Sequence, residues 1–172
     1  MHELFEKRRS IRKFLKKPVS DLLIKEILLA AMTAPSAMDN HPLDFIVVKE
    51  KEILEKLSQA GLYVDFIGQA AVAIVVVSDP TKSQKFWLVD ASIAAGYIYL
   101  EATSQGLGTC WANIYQSKLE DGSDREVFVK KILKVPADKR IVCILPLGYP
   151  AEKRSPHSEK EFVKTKVHQG EW

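Results

Sequence analysis

The chain has 172 residues, of which 47% are apolar and 27% are charged, and this composition excludes a disordered or fibrous protein. Its 25 Lys and Arg residues exceed its 22 Asp and Glu residues only slightly, so the net charge of +3 does not by itself indicate a nucleic-acid-binding protein. Cys110 and Cys143 stand far apart in apolar surroundings, which excludes a disulfide framework or a CxxC metal site and predicts two reduced thiols.

The N-terminal segment, MHELFEKRRS, contains no apolar stretch, so it predicts neither a secretion signal nor a transit peptide. The longest apolar run, residues 70–77, is far shorter than the roughly 20 residues that a membrane-spanning helix needs. The sequence therefore predicts a cytoplasmic protein that does not enter a membrane.

A basic stretch, KRRSIRKF, occupies residues 7–14. It could be a solvated basic face at the end of a short helix, a patch that binds nucleic acid, or a cradle for one anionic ligand. In an extended segment Ser10 and Arg12 would share one face opposite Ile11. Guanidinium groups beside a hydroxyl suit a single phosphate group, whereas a nucleic-acid patch would spread wider and carry exposed aromatic residues. The spacing therefore favours the cradle.

Four elements are predicted before residue 80. Ser20 caps a helix whose apolar face is formed by Leu23, Ile27 and Ala30 or Ala31 and which must end before Pro35. The segment DFIVVKE predicts a short strand, and KEILEKLSQAG predicts an amphipathic helix. The run AAVAIVVVSDP is apolar without alternation, which is typical of a central strand that is covered on both faces.

A long helix is predicted over about residues 85–105, ending at Gly106 and Gly108. It is apolar nearly all round and rich in small residues, so we expect it in the domain centre or in a subunit interface. A further amphipathic helix, DREVFVKKILKVP, precedes a second fully buried strand, RIVCILPLGYP. The order predicts one mixed domain over residues 1–172, with a buried sheet of about four or five strands.

The charged tail, residues 151–172, also contains apolar side chains, which suggests that it lies on a surface of the protein or of a second subunit. These apolar residues are Phe162, Val163, Val167 and Trp172.

Several chemistries are disfavoured. The segment GLGTCW is neither a dinucleotide-binding nor a Walker motif, and the sequence contains no GxSxG or HExxH. Asp39, His41 and Asp44 could in principle bind a metal ion, but a loop with Asn and Pro requires none. We therefore predict no metal site.

Four motifs together resemble the nitroreductase family of flavin enzymes, and the resemblance spans almost the whole chain in the same order. They are RRSIRKF, APSAMDNHPLDFIVV, GLGTCW and LPLGYPAEK with the basic tail. The resemblance implies an α+β fold with a central, mostly antiparallel sheet surrounded by helices. It also implies a homodimer that binds two FMN molecules at the subunit interface, with the tail packing on the partner subunit.

The resemblance also implies a set of FMN contacts. They are Arg8, Arg9, Ser10, Arg12, Pro35, Ser36, Ala37, Asp39, Ala112, Asn113 and Lys160. Arg8 and Ser10 would hold the phosphate and ribityl chain with help from Arg9, and Lys160 would reach the phosphate from the tail. Arg12 would approach the pyrimidine edge of the ring, where a cation stabilises the negative charge that reduction creates.

Two further parts of the site would face the flavin ring. Residues 35–37 resemble the segment that the family lays against the ring from the second subunit. Ala112 and Asn113 lie where the family presents backbone groups near N5, although Asn113 replaces a residue that is often glycine.

One loop departs from the family pattern. Relatives commonly read N-x-Q-P-W where this chain has Asp39, His41 and Leu43 at the variable positions. An acidic side chain near an electron-rich reduced flavin is unfavourable unless a cation or an amide offsets it. The family pattern therefore does not predict which contacts this loop makes with the flavin and the substrate.

The activity that the resemblance implies is an FMN-dependent oxidoreductase. It would pass hydride from NADH or NADPH through flavin N5 to a nitroaromatic, quinone or similar acceptor by a ping-pong mechanism. We expect no single catalytic acid, base or nucleophile, because the flavin carries the chemistry. The alternatives are a flavin-binding carrier or sensor with little turnover, which the altered loop at residues 39–43 keeps open, and a small nucleic-acid-binding module, which is strongly disfavoured.

Overall fold

An antiparallel sheet with helices on both faces organises the computed structural model, which describes residues 1–172. The elements in chain order are α1 (Glu3–Lys7), α2 (Asp21–Met32), β1 (Leu43–Val48), α3 (Lys51–Ser58), β2 (Val72–Ser78), α4 (Trp87–Ser104), β3 (Gly108–Thr109), β4 (Ala112–Asn113), α5 (Arg125–Leu133) and β5 (Arg140–Gly148). The strand order is β1-β2-β5-β3, and β4 also pairs with β5. All of these pairs are antiparallel, which confirms the predicted α+β class.

Strands β2 and β5 form the buried centre of the sheet. Every residue of β2 is buried, and so is every residue of β5 after Arg140. Alternate residues of β2 enter different cores, because side chains of a strand point to opposite faces. Val75 packs with Leu54 and Leu57 of α3, whereas Ile74 packs with Ile27 of α2 and with α4. The continuous apolar run AAVAIVVVSDP thus contains a central strand, as predicted.

The start of α2 follows its sequence signal, but its buried face differs from the prediction. The Ser20 side chain accepts a hydrogen bond from the backbone N–H of Leu23 at 3.4 Å. The buried residues are Ile24, Ile27 and Ala31, whereas Leu23 is only half-buried. Ile27 and Ala31 are therefore buried as predicted, whereas Ile24 takes the buried position that was predicted for Leu23.

Helix α4 begins at Trp87, two residues later than predicted, and ends at the predicted glycine. Gly106 has a φ of 73°, and the N–H of Leu107 donates to the carbonyl of Ala102 at 2.8 Å, which closes the last turn. One face of α4 packs on the sheet. The opposite face carries exposed apolar side chains: Val89, Ile93 and Tyr97. The expectation that this helix is buried in the domain centre holds for only half of its surface.

The tail returns to the N-terminus before it becomes exposed. The N–H of Ala151 donates to the carbonyl of Lys13 at 2.8 Å, and the N–H of His157 donates to the carbonyl of Glu6 at 2.9 Å. Beyond residue 158 the tail contains two short 3₁₀ turns and is exposed throughout, including its apolar side chains. None of the five α-helices has both the length and the hydropathy that would let it cross a membrane.

Candidate functional site

The basic N-terminal segment lies against the short strand β3. Ser10 pairs with Thr109, and the N–H of Ile11 donates to the carbonyl of Thr109 at 2.9 Å. Gly108 permits this close approach, because a Cβ atom at that position would lie 2.7 Å from the Cβ of Ile11. The segment is therefore extended and held directly on the sheet, which is the conformation in which Ser10 and Arg12 share one face.

The two faces of this segment have different environments. Ile11 and Phe14 are buried, whereas Arg12 is exposed and Ser10 is half-buried. Glu152, at the start of the tail, accepts hydrogen bonds from the N–H of Arg12 at 2.7 Å and of Lys13 at 3.2 Å. The bond from Arg12 lowers the pKa of Glu152, so this carboxylate remains ionised and anchors the backbone of the segment.

Three guanidinium groups project from this segment without a carboxylate partner. Arg8 lies 5.7 Å from the centre of the Tyr99 ring, and Arg12 lies 5.8 Å from the centre of the Phe66 ring. Arg9 donates to the carbonyl of Ser155. No carboxylate oxygen lies within 4.0 Å of any of the three groups. Because arginine cannot lose its proton in a protein, these charges fit an anionic group such as the phosphate of FMN.

His157 is the residue through which the tail reaches Arg8. A guanidinium group can only donate, so Nε2 of His157 accepts from Arg8 at 2.9 Å. The proton then lies on Nδ1, which donates to Glu161 at 2.7 Å and lowers the pKa of that carboxylate. Lys160 forms no hydrogen bond or salt bridge within the chain, and its phosphate contact stays a prediction.

The sequence analysis did not identify His157, because this contact joins residues 149 positions apart. No local pattern in the charged tail distinguishes this histidine from the other basic residues.

Two titratable groups lie beneath the segment. Burial raises the pKa of the Tyr99 hydroxyl, which accepts a hydrogen bond from the N–H of Trp111. Burial also raises the pKa of the Cys110 thiol, and the nearby charge of Arg12 does not reverse this. Because Cys110 is neutral at ordinary pH, it does not provide a thiolate nucleophile.

Strand β4 carries Ala112 and Asn113 directly after this cluster. Ala112 is buried opposite Ile144 of β5, and Asn113 is paired with Cys143. The Asn113 side chain is fixed, because its amide nitrogen donates to the carbonyl of Tyr115 at 2.9 Å. Its side-chain oxygen also accepts from the indole nitrogen of Trp111 at 3.1 Å.

The second predicted part of the site, residues 35–39, lies at the other end of α4. The N–H of Ala37 donates to Asp90 in the first turn of this helix at 2.9 Å. Arg8 lies on Tyr99, nine positions farther along, which corresponds to about 14 Å of helix. Within one chain the two parts therefore lie beside opposite ends of α4.

The loop at residues 39–43, which differs from the family pattern, contains one hydrogen bond between two side chains. Asp39 and His41 form an exposed hydrogen bond of 2.6 Å. No three His, Cys, Asp or Glu side chains in residues 1–172 lie close enough to hold a metal ion. The pair therefore has no third ligand.

Comparisons with known proteins agree with this arrangement. The nitroreductase family matches residues 5–62 and 58–149 of the chain. An FMN-dependent nitroreductase from Clostridium difficile is 36% identical, with both chains covered in full and a TM-score of 0.96. A protein from Methanothermobacter thermautotrophicus, provisionally named NADH dehydrogenase/NAD(P)H nitroreductase, is 38% identical over 99% of this chain and 86% of its own length. An FMN reductase [NAD(P)H] from Bacillus subtilis is 25% identical over 90% of this chain and 68% of its own length.

Proposed function

Because this chain belongs to the nitroreductase family and is a flavin-dependent NAD(P)H oxidoreductase, we propose that it binds FMN and transfers hydride from NADH or NADPH to a nitroaromatic, quinone or similar flat acceptor. Bound FMN supplies the redox chemistry at N5, and the two substrates use one site in turn, as a ping-pong mechanism requires. The observation that carries the proposal is the set of three guanidinium groups at residues 8–12 that lack a carboxylate partner.

The chain's own residues would bind and orient the cofactor. Arg8, Arg9 and Ser10 would hold the phosphate and ribityl chain, because the segment that carries them is fixed on β3. Arg12 would lie at the pyrimidine edge and stabilise negative charge there. Lys160 would add a further contact to the phosphate.

Residues on β4 would support the reactive side of the ring. Ala112 and Asn113 are held by pairing with β5, so their backbone groups have a fixed direction. Cys110 and Tyr99 remain neutral because burial raises the pKa of both groups. In their protonated forms these groups are poor bases and poor nucleophiles.

The complete site requires a homodimer in this proposal. Residues 35–39 lie beside the first turn of α4, away from the Arg8 contact, and we infer that the second copy supplies them to the flavin that Arg8 binds. The exposed apolar face of α4 and the apolar side chains of the tail provide surface for this interface. Residues 1–172 then form one domain, and the tail, residues 151–172, packs on the partner beyond the residues that bond to Lys13 and Glu6 of its own chain.

The test begins with purified protein that has been mixed with FMN and desalted. A retained flavin spectrum that bleaches on anaerobic addition of NADH or NADPH supports the proposal. Retained colour that does not bleach with either donor supports a carrier or sensor, and a colourless protein contradicts FMN binding.

A substitution then tests the role of Arg12. Arg12→Gln should slow flavin reduction, because the ring loses a positive charge. Lys13→Gln is the matched control, since Lys13 is the exposed cation next in sequence. Equal reduction rates in both variants would contradict this role.

A further inference from the structure

Asp90 is a buried carboxylate without a cationic partner. It is 2% exposed, and no Lys, Arg or His nitrogen lies within 4.0 Å. Its Oδ1 accepts from the N–H of Ala37 at 2.9 Å, and its Oδ2 accepts from the hydroxyl of Ser83 at 3.0 Å. Burying a carboxylate is costly unless hydrogen bonds compensate. The first turn of α4 offsets part of this cost, because the N-terminus of a helix is positive.

The loop that Asp90 contacts has an unfavourable backbone. Met38, Asp39 and His41 have φ values of 52°, 58° and 43°, in the left-handed region that residues other than glycine rarely adopt. Such a loop keeps its shape only when other contacts hold it.

Hydrogen bonds show which contact holds this loop to the protein. Within the loop, the N–H of His41 donates to the Ser36 hydroxyl at 3.0 Å, and the N–H of Asp39 donates to the Ser36 carbonyl at 3.2 Å. The bond from Ala37 to Asp90 is the one hydrogen bond that joins residues 36–41 to another part of the chain, and the next residue, Pro42, fixes the far end of the loop by accepting from the N–H of Asp79 at 2.7 Å.

The loop directs its side chains away from the protein. Met38 is 83% exposed, and the side chain of Asp39 is also almost fully exposed. These side chains are available to a second subunit, whereas Asp90 is enclosed and contacts no outside molecule directly.

We propose that Asp90 is a positioning residue, which holds residues 36–41 in the shape that meets the flavin of the second subunit. The inference rests on the proposed function for the identity of that ligand. That Asp90 fixes the shape of the loop is inferred only from contacts within this chain.

Four variants separate the roles of Asp90. Asp90→Ala removes both of its hydrogen bonds. Asp90→Asn keeps them, because the amide oxygen accepts from Ala37 and the amide nitrogen donates to Ser83. Ser83→Ala is the matched control, since it removes the second bond and leaves the first. Ala37→Pro removes the donor without altering Asp90, and the extended backbone of Ser36 (φ −129°, ψ 154°) suits a residue before proline.

The first measurement is amide hydrogen exchange in the protein without FMN, read at His41, whose N–H is bonded inside the loop. We expect exchange to rise about tenfold or more in Asp90→Ala and Ala37→Pro, and to stay near the wild-type rate in Asp90→Asn and Ser83→Ala. If Asp90→Ala does not fold, Ala37→Pro still tests the bond. Unchanged exchange in the variants that lose it would overturn the inference.

The second measurement is the rate of FMN release from the loaded protein. It should rise about tenfold in Asp90→Ala and Ala37→Pro, and remain near wild type in the other two variants. Faster exchange with unchanged FMN release would show that the loop is held by Asp90 but does not serve the flavin, which also overturns the inference. A wild-type protein that binds no FMN would instead contradict the proposed function, while the exchange result would still decide whether Asp90 holds the loop.

Discussion

Replacing Gly108 with alanine should displace the segment that carries Ser10 and Arg12. The added Cβ would lie 2.7 Å from the Cβ of Ile11, whereas carbon atoms pack at about 3.5–4.0 Å. Ile11 or its backbone must therefore move by about 1 Å. Overpacking of this kind costs about 1–3 kcal/mol, so urea denaturation should show a loss of that size in the free energy of unfolding. FMN affinity, measured by the quenching of flavin fluorescence, should fall as well.

A double mutant tests the cause of this loss. Ile11→Ala alone should cost about 2–5 kcal/mol, because Ile11 is buried. When it is combined with Gly108→Ala, the new methyl group no longer meets Cγ1 and Cγ2, which lie at 2.8 Å in wild type, and the smaller residue leaves the segment room to shift away from the remaining Cβ contact. The double mutant should then be more stable than the sum of the two losses predicts, by about 1–2 kcal/mol. Additive losses, or wild-type stability of Gly108→Ala alone, would refute the steric argument.

Three further predictions concern charge, pH and assembly. Arg8→Gln should weaken FMN binding by about 10–150-fold, corresponding to about 1.5–3 kcal/mol for a charged hydrogen bond, whereas Lys7→Gln should change it little in the same fluorescence titration. Burial raises the pKa of Glu126, but hydrogen bonds from Arg140 and the backbone outweigh it and the net pKa lies below 4.5. Because a depressed pKa stabilises the fold above about pH 4.5 and this stability is lost as pH falls, Glu126→Gln should lower Tm at about pH 7, and the difference from wild type should shrink as the pH is lowered below about 4.5. Ile93→Glu should shift the protein towards monomer in sedimentation experiments and reduce FMN retention, since it places a charge on the exposed face of α4; an unchanged dimer would contradict the assigned interface.

Local signals predicted the elements that depend on local physics. The apolar runs of β2 and β5, the Ser20 cap and the end of α4 at Gly106 all follow from residues within one turn or one strand. Strands β3 and β4 were not predicted, because each contains two residues and exists through its pairing with β5. The late start of α4 has a different, local origin: the N–H of Phe86 donates to the carbonyl of Ser83 and forms a turn before the helix.

In the candidate site, too, features that depend on nearby residues could be predicted, whereas features that depend on distant partners could not. The basic residues of segment 8–14 and its two apolar anchors, Ile11 and Phe14, could be identified from the sequence, but its extended form depends on pairing with β3. His157 and Asp90 could not be predicted, because each acts through a partner that lies far away in the sequence. The cofactor contacts of the implied set remain predictions, and the FMN experiments above test them.

The meeting of the two ends of the chain has a consequence for biosynthesis. Segment 8–14 emerges from the ribosome first, but it pairs with β3 and with residues 150–157, which emerge near the end. Contacts of such long sequence separation form late in folding. FMN capture should therefore be a final event of synthesis, and a nascent chain stalled before residue 150 should carry no flavin even when its first helices have formed.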